Sequence, residues 1–597
     1  MNSGTTARTP SKHSFVADDG TSLFYRAWPA VNSESERADP KGILLFHRGH
    51  EHSARWQELV DAIDLPDVWF FAWDARGHGR TEGPRGDAPS FSRMVRDAEN
   101  FSQHIASEHK VARESTAVLG QSVGAVVAAT WVHDYAPPVR AMVLATPAFK
   151  IKLYVPAAIP GLRLLNRIKP GTFIKSYVKP QMLTHDPMEA DSYAADPFIS
   201  PQISVNILLG LHDTSKRLVA DAHALTTPTL MLISGKDWVV ERGPQDRLFE
   251  RISTRDKRRV VYPDFFHSTF WEKERAKPIA EARLFLHRRL EGEPAERASS
   301  AELSGPSAHV QDCLESPLPI TSPRRWWWKS QQLGLSTAGR LSRGVQIGWQ
   351  DGFDAGTSLD HVYRNKAKGV TPVGRLIDRF YLDAIGWRGI RQRKRHLEKL
   401  IDDAIARLLE AEGDVRLFDA AAGPGRYVLD TLCRHAGKPV TALLGDRAEV
   451  GLAEGRRIAE QMKLAGRVTY VKTDAFDPDA LRAATDAFRP NLVIVSGLYE
   501  LFPDNAYLER SLTTLRSLLA AGGQLIYTNQ PWHPQHEMIA RVLPNRMGMP
   551  WVMRCRSQAE MDTLIREHGF VRRDMLIDEF GIFSVARAER LVDQVTA

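Results

Sequence analysis

The feature that most restricts how this chain can fold is a short apolar strand ending in two glycines that bracket a serine. Thr116–Leu119 has the composition of a buried strand, Gly120-Gln121-Ser122-Val123-Gly124 follows, and Ala125–Val127 opens a helix. A strand-to-helix turn this sharp has no room for side chains beside the serine, and it pushes the Ser122 hydroxyl out at the top of a sheet. The N–H of Val123 then faces the place where negative charge develops on an attacked carbonyl, one half of an oxyanion hole.

The surrounding sequence supplies the sheet. Residues 13–28 read as a hairpin around Asp18-Asp19-Gly20, and apolar runs follow at Gly42–Phe46, Val68–Trp73, Ala141–Leu144 and Thr229–Ile233. Strands alternating with helical stretches predict a parallel α/β sheet. Residues 150–220 are Pro-rich and break the rhythm, as a cap inserted between two core strands would. A serine hydroxyl is a weak nucleophile until a base takes its proton. Asp237 follows Thr229–Ile233, and His267 follows a strand at Arg259–Tyr262, so Ser122, Asp237 and His267 occur in the order this architecture requires. The second oxyanion donor is expected after the first parallel strand, in His47–Arg55, where the N–H of Gly49 is the candidate. His47, His50 and His52 have no carboxylate-rich motif beside them, so no metal is expected.

The segments HRGHEHSARW, WDARGHGRTEG, GQSVG, SGKD and FFHS together resemble the monoacylglycerol lipase and lysophospholipase group of α/β-hydrolases, over roughly residues 13–290. The resemblance implies an acyl-ester or lipid substrate held under the cap at about 150–220. The chain departs from that group at Arg48, where the group carries glycine.

A second α/β rhythm begins at Val415, with strands expected at Arg416–Ala420, Thr441–Gly445, Thr469–Lys472, Leu492–Ser496 and Gln524–Thr528, and a closing hairpin at Arg573–Asp578 and Ile582–Arg587. Between the two rhythms, residues 291–325 are rich in Ser, Pro, Glu and Ala and read as a flexible linker. Residues 326–410 read as mostly helical, and 411–590 as a Rossmann-like domain. Its first strand leads into Gly423-Pro424-Gly425, glycines that let backbone approach a ligand. Asp446 ends the next strand, where an acidic residue reaches a ribose. A dinucleotide fingerprint would need Gly or Ala at Val428, so NAD is not expected.

Asp419-x-x-x-Gly423-x-Gly425 instead resembles motif I of class I S-adenosylmethionine-dependent methyltransferases. Asp474-Ala475 resembles the adenine-contacting pair, and Gly497 stands where the methionine part and the acceptor meet. That resemblance implies S-adenosyl-L-methionine as cofactor of the C-terminal domain and none for the hydrolase. Gly348–Lys394 resembles a methyltransferase family of unassigned substrate. Tyr499, Glu500, His533 and His536 follow the cofactor-facing strands and could act as base or contact, although each alone reads more readily as structural.

Two domains suit 597 residues, and 43% hydrophobic with 25% charged content lets each hold a core. Cys313, Cys433 and Cys555 form no paired motif, which fits a reducing compartment. No signal peptide and no apolar run of about 18 residues is visible, so a cytoplasmic protein is expected. The net charge of +7, the Arg324-Arg325-Trp326-Trp327-Trp328-Lys329 segment and the basic run Arg388, Arg391, Arg393, Lys394, Arg395 suit peripheral contact with anionic membrane. A tryptophan cluster packed onto the second domain is the alternative. Nucleic acid is not expected, for lack of stacking or groove-reading motifs. A peptidase or small-ester hydrolase, joined to a non-catalytic methyltransferase-like domain, remains open alongside the lipase reading. The sequence does not fix oligomeric state.

Overall fold

Every residue of Thr116–Gln121 is buried, as in a strand covered on both faces, and it occupies the middle of the first sheet. The protein is described here by a computed structural model covering residues 7–31, 39–293 and 298–592. The chain forms two units, residues 1–297 and 298–597.

Among the described residues the first unit carries β1 (Ser11–Val16), β2 (Ser22–Trp28), β3 (Lys41–Phe46), β4 (Val68–Trp73), β5 (Thr116–Gln121), β6 (Ala141–Ala145), a short pair β7 (Phe173–Lys175) and β8 (Gln202–Ser204), β9 (Thr229–Ser234) and β10 (Lys257–Tyr262). Eight of these strands form one sheet in the order β1-β2-β4-β3-β5-β6-β9-β10. The β1–β2 hairpin is the antiparallel edge, and the strands from β4 to β10 run parallel. Between β6 and β9 the chain leaves the sheet for β7, β8 and the helices Ala158–Ile168, Pro187–Ala195 and Val205–Ala220. This is an α/β-hydrolase fold with a cap insertion.

The second unit carries β11 (Val415–Asp419), β12 (Val440–Asp446), β13 (Val468–Lys472), β14 (Leu492–Val495), β15 (Gln524–Asn529), β16 (Phe570–Ile577) and β17 (Ser584–Arg590), in the order β13-β12-β11-β14-β15-β17-β16. β17 alone runs against its neighbours, pairing antiparallel with both β15 and β16. That is the Rossmann-like class I methyltransferase arrangement. Helices from the preceding segment, Arg343–Asp351, Gly356–Arg364, Pro372–Leu382 and Ile385–Glu412, form a second apolar cluster with Trp551, Ile582 and Phe583.

Two expectations need correction. The stretch 291–325 is not a flexible linker throughout: Ser300–Glu315 is a helix opened by a capping box between Ser299 and Glu302, and Pro323–Ser336 is another. Residues 294–297 of that stretch lie outside the described residues. The polar composition hid the helix because it is anchored by hydrogen bonds rather than by an apolar stripe. Ser300 Oγ donates to Glu567 at 2.5 Å and Ser307 Oγ to the buried Glu560 at 2.8 Å. The basic run at 388–395, expected to meet an anionic membrane, is not wholly at the surface. Arg393 is buried and pairs with Glu500 at 3.2 Å, while Lys394 pairs with Asp430 at 2.7 Å.

Candidate functional sites

The first unit builds its site on the turn after β5. Ser122 is held at φ 54°, a conformation non-glycine residues rarely adopt, and its N–H donates to the Ala145 carbonyl at 3.0 Å. The flanking glycines are required by distance. A Cβ on Gly124 would lie 2.2 Å from the Phe46 carbonyl oxygen, and one on Gly120 would lie 2.7 Å from Ala125 Cα. The structure brings Ser122, His267 and Asp237 together from loops after β5, β10 and β9. His267 Nε2 lies 2.8 Å from Ser122 Oγ, and Nδ1 lies 2.7 Å from Asp237 Oδ2. The Val239 and Val240 N–H groups donate to Asp237 Oδ1 at 2.7 and 3.0 Å, closing an Asx-type turn that fixes the carboxylate. Burial opposes ionisation of Asp237, but the His267 charge and these hydrogen bonds hold its carboxyl below the usual range. Lys152, which sequence reasoning passed over, donates to the Asp237 carbonyl at 2.6 Å.

Gly49 and Val123 meet beside Ser122, where a Cβ on Gly49 would stand 3.1 Å from Val123 Cγ2. Both line a cavity of about 120 Å³ with Ser122 and His267. Its roof comes from the cap, including Ile174, Tyr177, Leu183, Ile203 and Leu208. Arg48 also lines this cavity, with its charge paired. It is buried, its Nε donates to Glu51 Oε2 at 2.8 Å, a further nitrogen reaches Ser268, and the guanidinium stacks over Trp271 at 5.2 Å. His47 is a structural bridge between the Arg48 carbonyl at 2.7 Å and the Ala75 N–H at 3.1 Å. Burial pushes its pKa down to about 4, which keeps it neutral. His52 pairs with Asp196 at 2.9 Å.

The second unit opens a cavity of about 440 Å³ at the carboxyl ends of β11, β12 and β14, within the size range of small-molecule sites. Gly423, Gly425, Asp446, Asp474, Ala475 and Gly497 all line it. Gly425 sits at φ 70°, where a Cβ would fall 2.5 Å from Leu444 Cδ1. Asp446 Oδ2 accepts from the Gly423 N–H at 2.8 Å and Oδ1 from the Ala448 N–H at 2.8 Å, so the strand-end carboxylate is pinned to the glycine loop. Asp419 differs from expectation. It does not line the cavity but lies fully buried beneath the loop, accepting from the Ala421 N–H at 3.2 Å and from the Tyr427 hydroxyl. Burial pushes its pKa up to about 7. The side chain supports the loop from below because Tyr427, on the following helix, claims one of its oxygens. Gly356, Leu359, Asp360 and Tyr363, from the helix Gly356–Arg364, complete the opposite wall.

The two halves match different families. Residues 282–590, just over half of the chain, match a family model described as "Putative methyltransferase", and residues 38–274 match one described as "Serine aminopeptidase, S33". The chain belongs to the former family and joins its domain to an esterase- or lipase-like α/β-hydrolase. It is 47% identical over 589 residues to "Uncharacterized protein YnbC" of Escherichia coli (strain K12), covering 98% of this chain and 99% of that protein. Over the hydrolase half it is 27% identical to "Monoacylglycerol lipase" of Mycolicibacterium smegmatis, covering 45% of this chain and 93% of that protein. It is also 26% identical to the human "Monoglyceride lipase", covering 42% and 82%.

Proposed function

We propose that the first unit hydrolyses apolar acyl esters through Ser122, His267 and Asp237, and that the second binds S-adenosyl-L-methionine and methylates a separate acceptor. The observation that carries the first half is the unbroken relay from Ser122 Oγ to His267 to Asp237, at 2.8 and 2.7 Å, opening into an apolar cavity. His267 Nε2 takes the hydroxyl proton as Ser122 Oγ bonds to the carbonyl carbon, and Asp237 keeps the other imidazole proton at Nδ1. The N–H groups of Gly49 and Val123 receive the oxyanion. His267 then returns its proton to the leaving alcohol, and water repeats the sequence on the acyl-enzyme. The cap and the monoglyceride lipase likeness favour a lipid-like ester, while the aminopeptidase description keeps amide substrates in the test.

A positive-φ glycine whose Cβ would collide with the next strand, and a carboxylate fixed at the strand end, fit the backbone and ribose of the cofactor. Gly423, Gly425 and Gly497 would approach its chain, Asp446 its ribose, and Asp474 with Ala475 its adenine. The bound cofactor supplies an electrophilic methyl group, and the residues around it supply alignment. Trp326 and Trp327 are 60% and 58% exposed, the surface that peripheral contact with an anionic membrane would use, while Trp328 packs against the apolar cluster of the second unit as the alternative reading expects.

The test is hydrolysis of an ester panel from short acyl groups to monoacylglycerols, with amino-acid amides as controls. Ser122→Ala should lose about 10⁴-fold or more in kcat. Equal activity of mutant and wild type would refute the triad, and a preference for amides would move the assignment to a peptidase. S-adenosylhomocysteine should bind the full chain in calorimetry, and Asp446→Ala should weaken it. Co-sedimentation with phosphatidylglycerol vesicles but not with phosphatidylcholine vesicles, weakened by Trp326→Ala with Trp327→Ala, is expected for the membrane contact.

A further inference from the structure

A second cavity of about 160 Å³ adjoins the cofactor-sized one in the methyltransferase unit, and five residues, Asp354, Leu359, Arg393, Gly497 and Leu501, line both. Most of the remaining wall is apolar: Trp387 and Ile390 from the helix Ile385–Glu412, Ile539 from the helix His536–Val542, and Trp551, Met553 and Phe583. A dry apolar cavity of about 150 Å³ is large enough for a single benzene-sized ring.

The polar groups in this wall are few and incompletely partnered. Glu500 is buried, with Oε1 on Arg393 Nη1 at 3.2 Å and Oε2 without a hydrogen-bond partner. Arg393 Nε and Trp551 Nε1 also have no hydrogen-bond acceptor. His533 Nδ1 accepts from the Gln535 N–H at 3.0 Å, which places its single proton on Nε2, and burial pushes its pKa down to about 3. An unpartnered buried polar atom carries a desolvation cost that a fitting ligand removes. The Arg393–Glu500 pair is neutral as a whole, and Asp354, the other charged group in the lining, is paired with Arg546 at 3.4 Å, so no uncompensated charge faces the cavity. It offers the Glu500 acceptor oxygen and N–H donors, with the unpartnered Tyr381 hydroxyl and the side chains of Gln530 and Gln535 as the further polar groups of the lining.

We infer that this cavity is the methyl-acceptor site and takes a small neutral molecule, an apolar ring or short chain bearing one hydroxyl, whose O–H donates to Glu500 Oε2. The hydroxyl both donates and accepts, as these orphans require. A carboxylate cannot donate to Glu500 and a hydrocarbon satisfies neither partner. That the occupant is an acceptor rests on the cofactor reading above; that the cavity binds such a molecule does not.

The full chain is titrated calorimetrically with p-cresol, toluene and 4-methylbenzoate, with and without saturating S-adenosylhomocysteine. p-Cresol should bind saturably, at least about tenfold more tightly than toluene or 4-methylbenzoate. Ile539→Trp, which fills the cavity from a residue outside the cofactor wall, should lose p-cresol binding about tenfold or more while keeping its affinity for S-adenosylhomocysteine. If that variant fails to fold, the ligand order on the wild type decides alone. Absence of p-cresol binding, a preference for 4-methylbenzoate, or undiminished binding by a folded Ile539→Trp would overturn the inference. Failure of S-adenosylhomocysteine to bind, with p-cresol still bound, would sink the cofactor reading and with it the role as acceptor site.

Discussion

His133 lies buried between two carboxylates, with Nδ1 2.7 Å from Asp134 and Nε2 2.8 Å from Asp221, while Arg217 grips Asp134 with two bonds of 2.7 Å. His223 faces Asp221 from its other side at 3.5 Å. Burial alone would depress the imidazole pKa, but the hydrogen bonds and charges of the two aspartates overcome it and raise the value to about 9. A pKa raised by folding stabilises the folded state fully below the unfolded value of about 6.5, and that contribution is lost as pH rises through about 9. Stability of the hydrolase unit should therefore fall between these limits, and the fall should flatten in His133→Gln. Denaturant midpoints across this range, alike in wild type and mutant, would count against the ionised cluster. The residues flanking Ser122 were legible in the sequence because their demand is local: a turn without room shows as glycine at 120 and 124. His133 was not, because Asp221 lies 88 residues away in the chain.

Elements differ in the same way. The strands could be read because a strand buried at every position, as β5, β9 and β15 are, is apolar through most of its length. Ser300–Glu315 could not, since what holds it is a polar network with partners far along the chain. Glu560, fully buried, accepts from Ser307 at 2.8 Å, from Arg554 at 2.7 Å and from Asn505 at 3.2 Å. Removing an anion from such a set strands a buried cation, whereas removing one neutral donor leaves the rest satisfied. Glu560→Ala should thus destabilise the second unit by about 3–5 kcal/mol, and Ser307→Ala by only about 1 kcal/mol. Urea unfolding followed by circular dichroism gives both numbers, and the opposite ranking would be incompatible with this network. The acceptor cavity escaped sequence reading for a related reason: Trp387, Trp551 and Phe583 are too far apart in the chain for any spacing to link them.

For the whole molecule, each unit has its own sheet and apolar core, so each should melt as its own cooperative transition. S-adenosylhomocysteine at about 100 times its Kd should stabilise its unit by about 2.7 kcal/mol and leave the hydrolase transition where it was. Scanning calorimetry of the full chain reads this directly, and one merged transition shifted as a block would contradict it. The Ser122 cavity and the glycine-loop cavity are each also covered on one side by chain outside the two large sheets, residues 150–220 in one unit and the helix Gly356–Arg364 in the other. A roof has a kinetic consequence. Where exchange of a ligand requires that roof to move, the ceiling on turnover is set by a motion against solvent drag. Hydrolysis should then slow as glycerol thickens the medium, at unchanged substrate saturation, whereas a rate limited by bond-making would be indifferent to it.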